Sequence, residues 1–105
     1  MNDLIRPSLY EAWHEVRELE NKEMSSDTYD LAGPVCETGD ILAKDRNLKI
    51  LPNDFVAFMD VGAYGSVMSS NYNSRLKPME LLVMDGEIEV IRRKETFEDL
   101  IALES

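Results

Sequence analysis

The chain has 105 residues, with 11 Lys and Arg against 21 Asp and Glu and a net charge of −10. That length allows one small domain, residues 1–105. The negative field repels phosphate backbones and anionic membrane surfaces, so we expect neither nucleic acid nor a membrane as partner. No apolar stretch approaches the roughly 20 residues of a membrane span, and no signal peptide is visible. The single cysteine can form no internal disulfide, which favours a reducing, cytoplasmic setting.

The first predicted elements are a helix and several short strands. Apolar residues at helical spacing predict a helix over residues 3–14. Weak alternation over residues 27–31 and 41–51 predicts strands on either side of a turn at Gly33-Pro34. The near-continuous apolar run over residues 55–61 predicts a buried strand.

A hairpin and a terminal helix are the clearest local patterns. Within residues 79–93, Asp85-Gly86 joins two strand-like runs and is typical of a type I′ turn. Alternation over residues 87–90 predicts one exposed face and one buried face. Residues 96–100 predict a helix with Thr96 near its cap. The predicted fold class is therefore mainly β, with short helices at the ends.

The chemistry of the residues alone does not define an enzyme. Cys36, in the loop GPVCETGD, has no histidine base that the sequence places beside it, since the one histidine, His14, lies in the predicted first helix. One cysteine and one histidine do not supply the ligands of a zinc site, and no calcium-loop spacing occurs, so we expect no metal. The scattered carboxylates are typical of a solvated face.

Four segments of the chain, taken in order, resemble the C-terminal part of the diaminopimelate decarboxylase family. These are pyridoxal-phosphate enzymes of the alanine-racemase-like fold type. The segments span almost the whole chain; they are MNDLIRPSLYEAWH at 1–14, GPVCETGDILAKDR at 33–46, DVGAYGSVMSSNYNSR at 60–75 and VIRRKETFEDL at 90–100.

The resemblance implies roles for five residues. Arg6 and Tyr10 look like the family's substrate-binding pair, in which the planar guanidinium grips a carboxylate. Cys36 looks like the catalytic cysteine, which donates a proton after carbon dioxide departs; thiols suit general-acid work because they titrate near the operating pH. Glu37 looks like the residue that binds the substrate's distal amino group. Tyr64 looks like the tyrosine beside the substrate, the cofactor and its phosphate.

The resemblance also implies a cofactor and further structure. Pyridoxal 5′-phosphate supplies the electron sink while bound as a Schiff base to a lysine. In the family that lysine belongs to an upstream TIM-barrel domain, and Lys44, Lys77 and Lys94 do not match it, so we expect the Schiff-base lysine and the barrel to lie outside this chain. The chain would then be an incomplete, antiparallel β-sandwich or barrel-like C-terminal domain, inactive alone.

The implied reaction is the decarboxylation of meso-diaminopimelate to L-lysine in lysine biosynthesis, by a lyase acting on a small molecule. The family implies a homodimer in which the CETGD loop reaches the neighbouring subunit's barrel. One alternative is a sister decarboxylase acting on ornithine, arginine or carboxynorspermidine. Another is a non-catalytic remnant, a binding module that docks onto a complete decarboxylase or onto itself. In the family, the first strands of this domain come from the N-terminus of the full-length chain. Without them we expect an unpaired sheet edge and exposed apolar surface, which favour self-association.

Overall fold

The computed structural model describes all 105 residues and consists of short elements. In chain order they are α1 (Arg6–Tyr10), β1 (Val16–Glu18), β2 (Asp27–Ala32), β3 (Ile41–Leu48), β4 (Val56–Phe58), two 3₁₀ turns (Ser66–Met68 and Tyr72–Ser74), β5 (Glu80–Met84), β6 (Glu87–Arg92) and α2 (Phe97–Leu100). The strands form three antiparallel pairs, β1 with β4, β2 with β3 and β5 with β6. The predicted mainly β class with short helices is confirmed. No helix reaches the length and apolarity that crossing a membrane requires.

Helix α1 is shorter than predicted. The sequence predicts a helix over residues 3–14, but Glu11 adopts a left-handed conformation with φ of 55°, and its N–H closes the helix on the carbonyl of Arg6. Beyond it, the Met59 N–H donates to the carbonyl of Glu15 at 2.8 Å, which continues the β1–β4 pairing. Strand pairing therefore overrides the helical spacing of the apolar residues.

The core is small and is formed by residues from the first half of the chain. Its apolar members, Leu4, Ala43 and Leu48, are at most 8% exposed. Three polar residues are buried as well: His14, whose Nδ1 lies 3.0 Å from the Met59 carbonyl oxygen, Asn2 at 4% exposure and Asp40 at 1%. The buried Ala43 and Leu48 lie on β3, which the loop of residues 33–40 joins to β2.

The predicted buried strand over residues 55–61 is wrong in length and in burial. Only Val56–Phe58 forms a strand, its residues are half-buried, and Phe55 is 77% exposed. The physical reason is that β4 pairs only with the three-residue β1, so its other edge and much of its surface have no neighbour.

The hairpin forms as predicted but buries neither face. Asp85 and Gly86 both have positive φ, 52° and 79°, as a type I′ turn requires. The face predicted to be buried is open, since Ile88 is 68% and Val90 58% exposed. The hairpin makes no extensive contact with another helix or strand. The radius of gyration, 15.6 Å, accordingly exceeds the ~13 Å of a compact domain of this length.

The terminal helix α2 begins at the predicted cap. Thr96 accepts a hydrogen bond from the backbone N–H of Asp99, and the Asp99 side chain accepts one from the N–H of Thr96. This reciprocal capping box satisfies two helix-end donors.

Candidate functional site

The loop of residues 33–40 joins β2 to β3 and is closed at its base by Asp40. The Asp40 side chain is 1% exposed and accepts the Val35 N–H at 3.0 Å. The Gly33 N–H donates to the Asp40 carbonyl at 2.8 Å. A Cβ at Gly33 would overlap the Asp40 carboxylate, so the turn requires glycine there. The base is rigid, and the tip of the loop projects outwards.

Cys36 and Glu37 occupy that tip, and both are exposed. Glu37 accepts a hydrogen bond from the hydroxyl of Tyr72, which belongs to the second 3₁₀ turn. That hydrogen bond, followed by partial burial and by the negative charge of Glu37, raises the pKa of the Tyr72 phenol. Tyr72 is thus a site residue that the sequence did not single out, although it lies inside one of the four recognised segments, between two asparagines.

Arg6 and Tyr64 form the second group of site residues. The guanidinium carbon of Arg6 lies 5.9 Å from the centroid of the Tyr64 ring, within the range of a cation–π contact. Tyr64 has φ of 65°, a left-handed conformation uncommon for an aromatic residue, and is 59% exposed. A Cβ at Gly65 would overlap the Val61 carbonyl oxygen, so backbone approaches backbone closely in this turn. The tight turn holds the phenol outwards beside α1.

Tyr10 and the link between the two groups complete the geometry. Tyr10 lies four residues after Arg6 on α1, is 61% exposed and has no hydrogen-bond partner in the chain. The Ser8 hydroxyl donates to the carbonyl of Gly39, which ties α1 to the Cys36 loop. The structure thus brings Arg6 to Tyr64 and joins α1 to the loop, but it places no direct contact between Arg6 and Glu37.

The predicted site residues do not line the two main clefts between the elements. One cleft, of about 400 Å³, lies between α1 and β3, where the Arg46 guanidinium stacks at 4.5 Å over Trp13. Another, of about 670 Å³, lies between the N-terminal residues and the hairpin. None of the five predicted site residues lines either cleft. No group of three or more His, Cys, Asp or Glu side chains could hold a metal ion. The candidate site is therefore an open surface.

The sequence matches a family and its curated members. The family described as pyridoxal-dependent decarboxylase, C-terminal sheet domain, matches residues 1–62. The chain is 50% identical over 105 residues to diaminopimelate decarboxylase of Pseudomonas aeruginosa, covering all of this chain and 25% of that protein. It is 50% identical over 106 aligned positions to the Haemophilus influenzae enzyme, covering 26% of it. The chain thus spans about a quarter of the length of the curated relatives it matches.

Solved structures give the same result at the level of the fold. The chain superposes on diaminopimelate decarboxylase from M. jannaschii with a TM-score of 0.94 and 40% identity, over 100% of this chain and 24% of that one. It superposes on the Helicobacter pylori enzyme complexed with L-lysine with a TM-score of 0.89 and 50% identity, over 99% and 26%.

Proposed function

We propose a function from one premise: the chain belongs to the family of pyridoxal-dependent decarboxylases, as their C-terminal sheet domain. It forms the C-terminal part of a diaminopimelate decarboxylase, with residues 1–105 as a single β domain. The complete enzyme converts meso-diaminopimelate to L-lysine and carbon dioxide in the cytoplasm. The observation that carries this proposal is the 50% identity to the Pseudomonas aeruginosa enzyme along the whole chain.

The Arg6–Tyr64 group fits one edge of pyridoxal 5′-phosphate. The exposed Tyr64 hydroxyl has no hydrogen-bond partner in the chain, so it can donate to a phosphate oxygen. The cationic Arg6 beside it favours an anion at this place. The cofactor, when bound, supplies the electron sink of the decarboxylation, and the lysine that anchors it lies outside this chain.

Substrate binding falls to α1 and the loop of residues 33–40. The Arg6 guanidinium binds a substrate carboxylate through its planar fork, and the Tyr10 hydroxyl, one turn away, supplies a second donor. The Glu37 carboxylate binds the distal ammonium. Cys36 holds a proton at Sγ and delivers it to the α-carbon once carbon dioxide has left.

The site is completed by a second copy of the polypeptide. Cys36 and Glu37 lie at the exposed tip of the loop and line neither of the two clefts described above. A general acid needs a dry, walled site to act on substrate, so a second surface must face this loop. In the proposed homodimer, that surface belongs to the neighbouring subunit's barrel.

A chimera tests the function directly. The corresponding quarter of the Pseudomonas aeruginosa enzyme is replaced by these 105 residues, and carbon dioxide release from meso-diaminopimelate is measured with ornithine and arginine as competing substrates. We expect turnover of meso-diaminopimelate alone, and none from the 105-residue chain by itself. Cys36→Ala in the chimera should lower kcat by about 100-fold or more with little change in KM. A cofactor-loaded, dimeric chimera without turnover would contradict the proposal, and turnover of ornithine instead would support the sister-decarboxylase alternative.

A non-catalytic docking module is the second candidate, and the open hairpin favours it. An apolar surface of this kind marks an interaction site in a folded protein. Mixing the 105-residue chain with a Pseudomonas aeruginosa enzyme that lacks its matching quarter separates the two candidates. Restored turnover supports the catalytic part, whereas stable binding without turnover supports the docking module.

A further inference from the structure

We propose that Tyr72 is a positioning residue, whose hydroxyl holds the Glu37 carboxylate in the orientation that receives the distal ammonium group of the substrate. This inference rests on the proposed function, because it takes the ammonium to bind at Glu37. It adds a residue to the proposed substrate-binding set, and it explains how an exposed glutamate can select a substrate that carries a distal ammonium group. That set consists of Arg6, Tyr10, Glu37 and Tyr64.

The contact with Tyr72 leaves one carboxylate oxygen of Glu37 free to bind the substrate. The Tyr72 hydroxyl donates to Oε1, and Oε2 has no hydrogen-bond partner in the chain. A long, exposed glutamate side chain otherwise samples many rotamers and loses that freedom when it binds a ligand. Fixing Oε1 in advance removes part of this cost and aims Oε2 away from Tyr72.

Tyr72 can do this because its own backbone is held. Asn2 is 4% exposed and donates through Nδ2 to the Tyr72 carbonyl at 2.7 Å and to the Ser70 carbonyl at 3.3 Å. The Ser70 N–H donates in return to the Asn2 carbonyl at 3.0 Å. On the other side, Asn71 donates to the Glu95 carboxylate at 2.6 Å. The turn that carries the phenol is therefore anchored to two separate parts of the chain.

The electrostatics keep the phenol a donor. Its pKa is raised above the ordinary value, first by the hydrogen bond to Glu37 and then by partial burial and neighbouring negative charge. The Tyr72 hydroxyl stays protonated at neutral pH, so it remains the donor in its hydrogen bond to the Glu37 carboxylate. An anionic, oriented carboxylate is what an ammonium group requires.

The kinetic experiment compares two substrates in the chimera. Tyr72→Phe should raise KM for meso-diaminopimelate about tenfold while kcat changes by less than about twofold. For 2-aminopimelate, which lacks the distal amino group, kcat/KM should not change. Glu37→Gln should act on the same substrate only, and adding Tyr72→Phe to it should cost nothing further, because both act through one carboxylate. The matched control is Tyr29→Phe, whose hydroxyl reaches only the Ile50 carbonyl at 3.5 Å and which should alter neither substrate.

A spectroscopic measurement on the 105-residue chain tests the contact without turnover. The ¹³Cζ resonance of Tyr72, assigned with Tyr72→Phe, should titrate above the ordinary tyrosine range, and Glu37→Gln should lower its midpoint. A midpoint that Glu37→Gln leaves unchanged overturns the inference. So does a Glu37→Gln effect on selectivity that Tyr72→Phe does not share, or an equal loss of kcat on both substrates in Tyr72→Phe. If Glu37→Gln alone leaves selectivity unchanged while the titration shows the contact, the proposed role of Glu37 is wrong instead.

Discussion

Residues 1–62 and residues 79–105 both form regular secondary structure, but only the first region has buried side chains. The first holds every buried side chain, among them Leu4 and Leu48. The second has an antiparallel ladder with one register shift, a favoured turn and a capped helix, but none of its residues is buried. Secondary structure in the second region is thus set by local chemistry, without the packing that supports the first.

The open hairpin lacks the packing that usually stabilises a pair of strands. An isolated two-stranded hairpin is marginally stable in water. Here Val83 and Ile88, which face each other across the ladder, are 66% and 68% exposed. The chain also spans only about a quarter of its relatives' length. We therefore expect the hairpin to be covered in the complete assembly, and three experiments test the contrast between the two regions.

The largest expected effect comes from the same substitution made in both regions. Leu48→Ala removes a side chain that is 3% exposed and should cost about 2–5 kcal/mol of unfolding free energy, enough to unfold so small a core. Leu82→Ala, at 41% exposure on β5, should cost less than about 1 kcal/mol in the same chain. Urea denaturation followed by circular dichroism measures both. Equal costs would show that the hairpin packs against the core after all.

The second experiment makes the open hairpin polar. Exposed apolar surface favours association, so the chain should self-associate at high concentration, as measured by sedimentation velocity. Val83→Thr with Ile88→Thr keeps strand propensity but removes apolar surface, and should weaken association about tenfold. Leu19→Thr, which alters a residue 63% exposed outside the hairpin, is the matched control and should change little. A wild-type chain that stays monomeric throughout would remove the hairpin as an association surface.

The same contrast explains which parts of the structure the sequence predicts. The Asp85-Gly86 turn and the Thr96 cap were predicted correctly, because both depend on residues a few positions apart. Helix α1 was predicted too long, because the β1–β4 pairing of residues 16–18 and the hydrogen bond from Met59 to Glu15 join segments about 40 positions apart. Burial of the hairpin was predicted from alternation alone, which indicates an apolar face but not what covers it.

The candidate site also has residues that the sequence indicates and contacts that it does not. The five residues came from short motifs, and their roles stay predictions. The contact of Tyr72 with Glu37 spans 35 positions, and that of Arg6 with Tyr64 spans 58 positions, so no local spacing indicates either. The buried Asn2 likewise holds the turn at residues 70–72 by two side-chain hydrogen bonds, a link across about 70 positions that no local pattern indicates.

The smallest expected effect concerns pH and α2. Arg93 donates to both Asp99 oxygens, at 2.5 and 2.8 Å, and with the hydrogen bonds from Thr96 it holds the Asp99 pKa well below its ordinary value. Because the folded pKa is depressed, the stabilisation of α2 is fully present above about pH 4, the ordinary aspartate value, and is lost as pH falls through the lowered folded value. Amide exchange across residues 97–101 should therefore report an intact helix at pH 4 to 7 and fraying in stronger acid.

Asp99→Asn should fray α2 at every pH, because an amide cannot replace the bidentate carboxylate of the Arg93 pair. Glu98→Gln, which alters an acid in the same first turn that makes no hydrogen bond, should leave the exchange profile of the helix unchanged. In neither variant should the urea midpoint of global unfolding move, because α2 contributes no side chain to the core that residues 1–62 form. A shift of that midpoint in Asp99→Asn would mean that the two regions fold as one cooperative unit, and that the ladder of residues 80–92 transmits stability to the core.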